Sequence, residues 1–588
     1  MRTIRFSFVL ACIVALGWGC AAEVLGGGGG VDAGDDDAPD RPDAWVAGDC
    51  EPQTCEELGW ACGQFETCGE VVDCADVGRT CGEGEVCIGG YDGPTECVRG
   101  GEECEVCSAI PDCSGEAQVT TLSGRVVTPG RSAGDTGNQV GVPNAVVYIP
   151  SFRNLDDLPE IPTGLPAGGA SCERCEDQGD QLGPFVAAAV TDAAGFFELE
   201  EAIPVGEEIL LVVKAGKFRR ATRLTLPAED ACTDIAMPEQ PSGDPASDNP
   251  TRLPRDMEDG LAVHMPRIAV TTGVIDAMEC VLEKIGIDHR EFDNPGSDAR
   301  IHLYQGVGED VREDHDDVRG GMLIDDQTPE DSALYGDPNA LEGYDMVVSD
   351  CKGLTWDSDF SDRDAFGANV RDYVNRGGRM FASHLSFSWL HENGDLGSAA
   401  TFQEQTVGLD DTGIGEIARN RPLSSPRIDS FRDWMVHEEV VTASELAFPI
   451  RHPRSQATGL GSDSEEFVFC TEGDCTHETQ QFSFNTPYGA PAQDACGRVA
   501  YSGFHVSPAP GEAPGSFPYE DREFPELCGG DLTDQEKVLL YMIFDLAACI
   551  GEPVPPTCRP RTCADSTKCG LLPDGCGGLI DCDICTVD

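Results

Sequence analysis

The sequence predicts a multidomain protein: disulfide-rich small modules at both ends, a β-sandwich, and a doubly wound α/β domain. Three observations predict this arrangement. A dense cysteine–glycine pattern occurs at residues 50–74 and again at 558–582. Short strand-like runs with Gly, Pro and Asp between them follow the first pattern, and alternating strands and helices fill most of the second half.

The two cysteine–glycine repeats share Cys-x-Pro-x-Thr-Cys, two Cys-Gly pairs and a final Asp-Cys. Segments so poor in large apolar residues cannot bury a sufficient core, so they need covalent cross-links, which persist in oxidising compartments. Zinc is the competing explanation, because the CxxC pairs at 104–107 and 582–585 have ligand spacing, but no second pair follows at zinc-site distance. We therefore expect disulfides in a Cys-rich module at 50–113 and a Cys-rich repeat at 556–588.

The first 20 residues have the pattern of an export signal. Arg2 and Arg5 precede an apolar run at 6–18 that is too short to span a bilayer, and Cys20 follows a small residue. A cysteine at such a cleavage point resembles the lipidated cysteine of bacterial lipoproteins, and ordinary cleavage without a lipid is the alternative. The resemblance implies an exported protein whose membrane partner is reached through a lipid on Cys20, at the outer membrane or cell surface.

Two segments have linker composition. Residues 21–49 contain five consecutive glycines and a run of aspartates, which is typical of a flexible tether. Residues 241–261 are rich in Pro, Asp and Ser. The whole chain has 106 acidic and 39 basic residues, a net charge of −67, which argues against nucleic acid as a partner. No cofactor is predicted from these features, although a divalent metal is a possible ligand of so acidic a protein.

The cysteines of the chain number 29. Removing Cys12 with the signal and assigning Cys20 to the lipid leaves an odd number, which implies a free thiol or an intermolecular bridge. The expected pairs are Cys280–Cys351, Cys470–Cys475, Cys496–Cys528 and a disulfide at Cys172–Cys175 that involves Cys232 in one alternative. The disulfide candidates are Cys50, Cys55, Cys62, Cys68, Cys74, Cys172, Cys175, Cys280, Cys351, Cys470, Cys475, Cys496, Cys528, Cys558, Cys563, Cys569, Cys576, Cys582 and Cys585.

Residues 118–240 carry the short, punctuated strands that predict a β-sandwich. The segments 123–126, 141–147 and 191–197 read S-G-R-V, G-V-P-N-A-V-V and T-D-A-A-G-F-F. They resemble the carboxypeptidase-regulatory-like domain, which implies a structural or ligand-presenting module without catalysis. A Pro- and Gly-rich insertion that holds the cysteines at 172–175 departs from that family's pattern.

Residues 262–551 change to alternating strands and helices. A helix is predicted at 276–285, a buried strand at 344–349 and a helix with an apolar stripe at 366–374. A capping box at 533–536 opens the last predicted helix. Strands that alternate with helices predict a parallel sheet covered on both faces.

The strand-bearing segments 373–384 (Y-V-N-R-G-G-R-M-F-A-S-H) and 497–505 (G-R-V-A-Y-S-G-F-H) resemble the class I glutamine-amidotransferase-like fold and, within it, the ThuA-like proteins. Residues 385–495 have no counterpart in that family and are predicted to be an insertion. The resemblance does not extend to glutamine hydrolysis, because no cysteine stands at Ser383-His384, where the amidotransferases carry their nucleophile.

The candidate catalytic residues are Asp350, His384 and His505, each after a predicted strand. Open α/β sheets bind ligands at the carboxyl ends of their strands, and two histidines with a carboxylate suit metal binding or acid–base work near neutral pH. The alternative is that the imidazoles are hydrogen-bonded structural residues at the sheet edge. Cys351 is a possible nucleophile, although a disulfide is the preferred expectation for it.

The whole arrangement resembles large exported lipoproteins of the myxobacterial type, whose repeat is sometimes labelled tryptophan synthase alpha chain. No succession of eight βα units supports that activity here. We predict a cell-surface lipoprotein with a non-catalytic binding or structural role, with polysaccharide or other surface proteins as partners. The alternative is an exported carbohydrate-active hydrolase or isomerase that uses the ThuA-like domain. The two differ in whether the candidate residues converge in an open pocket.

Overall fold

A computed structural model describes most of the chain between residues 104 and 551. The gaps are residues 114–117, 131–138, 176–180, 201–202, 238–248, 274–275, 307–320, 352–360, 404–411, 418–424, 454–456, 506–521 and 527. Outside that range only six short strands are described, by their backbone. The signal peptide, Cys20 and the tether lie outside the described residues, as do most of the terminal Cys-rich modules. No helix within the described part is long and apolar enough to cross a membrane.

The N-terminal Cys-rich module contributes two short antiparallel hairpins. Strand β1 (Gln64–Thr67) pairs with β2 (Glu70–Asp73), and β3 (Glu85–Ile88) pairs with β4 (Glu96–Arg99).

Residues 118–264 form two sheets, which we call the two-sheet region. Its strands are β5 (Thr121–Arg125), β6 (Val146–Pro150), β7 (Phe185–Val190), β8 (Phe196–Leu199), β9 (Glu208–Ala215), β10 (Phe218–Thr225), β11 (Asp234–Ala236) and β12 (Leu261–His264). The strand orders are β11-β5-β8 and β12-β10-β9-β6-β7. Side chains alternate across the central strands: Val147 and Val213 belong to the main core, whereas Val146 and Val212 belong to a second cluster on the opposite face.

The predicted linker at 241–261 is folded where it is described. Arg252 is fully buried and its Nη2 donates to Asp259 Oδ1 at 2.7 Å. Strand β12, which begins at Leu261, pairs with β10 of the two-sheet region. The α/β region therefore begins near Ile268, later than predicted, because the polar composition that suggested a linker is used for a buried arginine–carboxylate pair.

The remaining strands belong to the α/β region (residues 268–551) and the C-terminal repeat. They are β13 (Ile268–Thr272), β14 (Phe292–Asp293), β15 (Ile301–Gln305), β16 (Met322–Leu323), β17 (Met346–Ser349), β18 (Arg379–Ser383), β19 (Ala400–Phe402), β20 (Thr412–Ile417), β21 (Ala447–Arg451), β22 (Ala457–Leu460), β23 (Ser464–Gly473), β24 (Thr479–Thr486), β25 (Gly497–Ser502), β26 (Arg522–Glu523), β27 (Gly570–Pro573) and β28 (Leu579–Cys582). The pairs β16–β26, β19–β22 and β27–β28 form two-stranded sheets.

Ten of these strands form one sheet in the order β14-β15-β13-β17-β18-β25-β24-β23-β20-β21. The strands from β14 to β25 are parallel, and those from β25 to β21 pair antiparallel. The predicted insertion at 385–495 supplies the whole antiparallel half. Its strands extend the parallel sheet directly, so the segment without a family counterpart is part of the same fold.

Helices cover both faces of this sheet. They are α1 (Met278–Lys284), α2 (Ser332–Tyr335), α3 (Pro338–Glu342), α4 (Ser361–Asn375), α5 (Pro426–His437) and α6 (Asp534–Ala547). Helices α1, α5 and α6 pack into one core cluster and α2, α3 and α4 into the other. The capping box predicted at the start of α6 is confirmed: Thr533 Oγ1 accepts from the Glu536 N–H at 3.2 Å, and Glu536 Oε2 accepts from the Thr533 N–H at 2.8 Å.

Six disulfides join described cysteines: Cys104–Cys107, Cys113–Cys232, Cys172–Cys496, Cys175–Cys549, Cys280–Cys528 and Cys470–Cys475. The last coincides with the expected pair. The expected pairs Cys280–Cys351, Cys496–Cys528 and Cys172–Cys175 were wrong. The partners of Cys172 and Cys175 are 324 and 374 residues away, because the insertion that holds them reaches the α/β region.

These two long-range bridges join the two-sheet and α/β regions into one body. The Trp434 Nε1–H donates to the Gly141 carbonyl at 2.8 Å across the same boundary. One apolar cluster also contains residues of both regions, among them Val213 and Val270. The two regions therefore share a core, and the tryptophan is a core residue.

Candidate functional site

Three polar residues follow three neighbouring parallel strands. Cys351 lies two residues after β17, His384 directly after β18, and His505 three residues after β25. Because β17, β18 and β25 are adjacent and parallel, their carboxyl ends meet at one edge of the sheet, which we call the carboxyl edge.

The three side chains converge. Cys351 Sγ lies 3.0 Å from His384 Nδ1, and the imidazole rings of His384 and His505 are stacked with their centroids 4.1 Å apart. One donor atom from each residue lies within 4.8 Å of the other two. The residues are 9%, 3% and 1% exposed in that order, so the group is buried.

His384 has a left-handed backbone. Its φ is 47°, a conformation that residues with a side chain rarely adopt and that costs about 1 kcal/mol or more. The chain turns sharply there from β18 into a 3-10 turn, and the Tyr501 hydroxyl donates to the His384 carbonyl at 2.9 Å. The packed sheet therefore holds a strained turn that directs the imidazole toward Cys351.

Asp276 is the fourth member of the group, and sequence reasoning missed it. Its Oδ2 lies 3.3 Å from His505 Nδ1 and also accepts a hydrogen bond from the Ser383 hydroxyl. The Gln535 side chain donates to the His505 carbonyl. Asp276 is fully buried and lies between β13 and α1, so it too follows a parallel strand. This position after a parallel strand is the sequence signal that could have identified Asp276.

Asp350 does not join the converging donor atoms, contrary to the prediction. Its Oδ1 accepts from the Thr271 hydroxyl at 2.8 Å. It also lies against glycines after β13 and β15: a Cβ built on Gly273 would stand 2.4 Å from Asp350 Oδ2. Successive residues of an extended chain point in opposite directions. The predicted residue, Asp350, is therefore one position away from Cys351, the residue that joins the group.

A second buried acid lies close to Asp276. Glu279, on α1, is fully buried, and neither carboxyl oxygen has a hydrogen-bond partner among the described residues. Burial, with the negative charge of Asp276 as a smaller cause, raises the pKa of Glu279 to about 8. The Glu279 carboxyl is therefore mainly protonated at neutral pH.

The arrangement permits two kinds of chemistry. A thiol in hydrogen-bond range of an imidazole is the pairing that activates a cysteine nucleophile. A thiolate and two imidazoles within a few ångströms are also the donor types that bind zinc-like metals. His505, with Asp276 beside it, is compatible with either chemistry.

No family model matches the chain, and no curated protein matches it. Among solved structures, a putative ThuA-like protein from Bacteroides uniformis is similar at 10% identity and a TM-score of 0.24, over 47% of this chain and 88% of that one. A cytoplasmic protein from Salmonella typhimurium is similar at 10% identity and a TM-score of 0.25, over 47% and 98%.

A GH42 beta-galactosidase from G. stearothermophilus is similar at 10% identity and a TM-score of 0.17, over 27% of this chain. The chain spans about a fifth of that enzyme's length, 19%. The set includes a ThuA-like protein, the family that the sequence resembles.

Proposed function

We propose that this is an exported, lipid-anchored surface protein whose ThuA-like α/β region is a hydrolase or isomerase acting on a carbohydrate. The observation that carries the proposal is the 3.0 Å approach of Cys351 Sγ to His384 Nδ1 beside the second imidazole of His505. The convergence of these side chains supports the enzymatic alternative, whereas their burial, in place of an open pocket, supports the binding role.

Export is supported by the disulfides. Six bridges among the described residues fit an oxidising compartment, and two of them hold the two-sheet region against the α/β region. Lipidation of Cys20 and a position at the outer membrane or cell surface complete the proposal from the sequence pattern. The two-sheet region then acts as a carboxypeptidase-regulatory-like module that braces the α/β region.

The reacting groups have separate tasks. His384 is placed to exchange a proton with the Cys351 thiol, and the Asp276 carboxylate lies beside His505, with its Oδ2 3.3 Å from Nδ1. The strained turn at His384 fixes the first imidazole, as is common for side chains that must be held for catalysis. The carbohydrate class comes from the resemblance to ThuA-like proteins.

A non-catalytic binding role toward polysaccharide is the second candidate, and burial favours it. Cys351, His384 and His505 are 9%, 3% and 1% exposed. They contact a large substrate only if neighbouring segments of the chain move. In this reading the group is a structural part of the sheet edge, and the ligand binds elsewhere on the surface.

The test is turnover of a panel of nitrophenyl glycosides and of unmodified aldoses by the full mature chain. We expect at least one class to react, and Cys351→Ser and His384→Asn to lower kcat/KM by about 100-fold or more. His289→Ala is the matched control, because this histidine side chain is 72% exposed. Retention of polysaccharide on the wild-type protein with no turnover of any substrate would favour the binding role instead.

A further inference from the structure

We propose that Cys351, His384 and His505 form a zinc-type metal site with three protein ligands and a fourth position for water or substrate. This site deepens the proposed function by making Cys351 and His384 metal ligands in place of a proton-exchanging pair. Its catalytic meaning rests on that function, whereas metal binding by itself does not. The first support is the donor set. One thiolate and two neutral imidazoles are the ligand types that zinc takes in proteins.

The geometry is close to what such an ion requires. Zinc–sulfur and zinc–nitrogen bonds of about 2.3 and 2.0–2.1 Å at tetrahedral angles separate the donors by about 3.5 Å. The three donor atoms lie within 4.8 Å of one another, and Sγ and Nδ1 of the first pair are 3.0 Å apart. The observed separations, from 3.0 Å to at most 4.8 Å, therefore bracket the separation that a bound ion requires.

Asp276 is an independent second observation. Metal-binding histidines commonly donate their other ring N–H to a carboxylate, which fixes the tautomer. His505 Nδ1 lies 3.3 Å from Asp276 Oδ2 and makes no hydrogen bond with the described residues in this geometry, so the carboxylate is near enough to support Nδ1 when Nε2 binds a metal. Ser383, the last residue of β18, holds that carboxylate, which connects the supporting interaction to the strand that carries His384.

The chemistry of Cys351 points the same way. Cys280, its expected disulfide partner, is bonded to Cys528, and the Cys351 Sγ instead lies 3.0 Å from His384 Nδ1. A thiol in an oxidising compartment is open to disulfide exchange and oxidation, whereas a metal-bound thiolate is held as a ligand. Calcium and magnesium do not suit this group of sulfur and nitrogen donors, because both ions take oxygen ligands.

The experiment is elemental analysis of the full mature chain, exported with its disulfides formed and dialysed against metal-free buffer. We expect about one equivalent of zinc or a similar transition metal. Cys351→Ser and His505→Ala should each lose it, and His289→Ala should retain it as the matched histidine control. Circular dichroism and thermal melting of each variant establish that metal loss is not unfolding.

A second measurement needs no ligand deletion. Cobalt(II) added to metal-free wild-type protein should give thiolate-to-metal charge-transfer absorption and intense tetrahedral d–d bands. Asp276→Asn keeps all three ligands and should weaken metal binding by about 10–100-fold while leaving the cobalt spectrum in place. If Asp276 had only a structural role, Asp276→Asn would change thermal stability and leave metal affinity unchanged.

The outcomes separate the two proposals. Less than a tenth of an equivalent of metal in folded wild-type protein, with no cobalt–thiolate absorption, would overturn the metal site. If such metal-free protein still turned over substrate in a Cys351-dependent way, the proposed function would stand without it. If one equivalent of metal bound and was lost when a ligand was substituted, but the protein turned over no substrate, the metal site would stand. The proposed enzymatic activity would then be wrong.

Discussion

Buried polar and charged groups at the two ends of β17, β18 and β25 have different kinds of partner. At the amino ends, which we call the amino edge, stand Asp345 before β17, Arg379 as the first residue of β18 and Arg498 near the start of β25. At the carboxyl edge the same strands lead to Cys351, His384 and His505. The strands and their packing are shared, so the difference lies in what partners each edge provides.

At the amino edge, Asp345 is held by permanent partners. Asp345 accepts from Lys217 Nζ at 2.6 Å and from the backbone N–H groups of Gly164 and Arg267 at 2.7 Å each. Two of these partners belong to the two-sheet region. The carboxylate therefore fastens the two regions together, and none of its partners changes charge near neutral pH.

Helix α6 continues this network. Asp545 Oδ1 accepts from Arg427 Nε at 2.8 Å, and Arg498 Nη1 donates to the Asp545 carbonyl at 2.6 Å. Burial by itself would raise the pKa of Asp545, but Arg427 and Arg498 outweigh it and hold that pKa below its usual range. At the carboxyl edge the same burial acts on Glu279 beside Asp276, and the pKa rises to about 8.

The comparison teaches that burial alone does not fix the behaviour of an acid in this fold. An arginine neighbour keeps the acid ionised and structural, while an acidic neighbour leaves it protonated and titratable. The acid at one edge of the sheet thereby stays ionised, and at the other edge Glu279 changes its protonation in the ordinary pH range.

The largest expected effect is at the amino edge. Asp545→Ala removes the carboxylate beside the buried Arg498 and leaves Arg427 paired with Glu465 alone, so we expect the free energy of unfolding to fall by about 3–5 kcal/mol. Urea titration with disulfides intact measures it, with Glu258→Ala as the control because that side chain is 89% exposed. A loss under about 1 kcal/mol would mean that the two edges do not differ as described.

The acid side of the stability profile sharpens the same point. The lowered pKa of Asp545 contributes stability above the unfolded pKa near 3.8, and this contribution is lost as pH falls through the lower folded pKa. In Asp545→Ala that part of the acid-induced loss should be absent when stability is followed from pH 5 to pH 2.

Glu279 should give the opposite slope. Its pKa is about 8 when folded and near 4.5 when unfolded, so between these values the folded state holds a proton that the unfolded state releases. Stability should therefore fall as pH rises through this window, by at most about 1.4 kcal/mol per pH unit. Glu279→Gln should flatten that fall and be more stable than wild type at pH 8, as urea titrations at several pH values would measure.

Glu258→Gln is the control for this slope, since the side chain is exposed. A pH profile unchanged by Glu279→Gln would contradict the raised pKa and, with it, the contrast between the edges.

The strands of both edges were predictable from sequence. Runs of apolar residues located β17 and β18, and the cap at Thr533 located α6, because those signals are local. The choice between Asp350 and Cys351 was not local: it depends on which way the chain turns after β17. The left-handed conformation of His384 likewise follows from packing at the strand end.

Disulfide pairing failed for a related reason. Cys175 and Cys549 are brought together by an insertion of one region that crosses to the end of α6 in another. Nothing in the spacing of either cysteine carries that information, whereas Cys470 and Cys475 lie five residues apart and their pairing could be anticipated. Charge networks between regions, such as that of Asp345, are unpredictable on the same ground.

The smallest expected effect tests the strained turn at the carboxyl edge. His384→Gly and His384→Ala both remove the imidazole and its contacts, and they differ mainly in whether φ of 47° strains the residue. Glycine adopts this conformation freely, so His384→Gly should be more stable than His384→Ala by about 1 kcal/mol, although glycine normally destabilises folded chains. Thermal or urea unfolding of the pair measures the difference.

The corresponding pair at the amino edge is Arg379→Gly and Arg379→Ala, at the start of β18. This position is an ordinary strand residue, so alanine should be the more stable variant there by roughly 0.5–1 kcal/mol. Opposite signs at the two ends of one strand would place the strain at the carboxyl edge. If alanine were the better replacement at both ends, the turn at His384 would store no strain, and the imidazole would be held by its contacts with Cys351 and His505 alone.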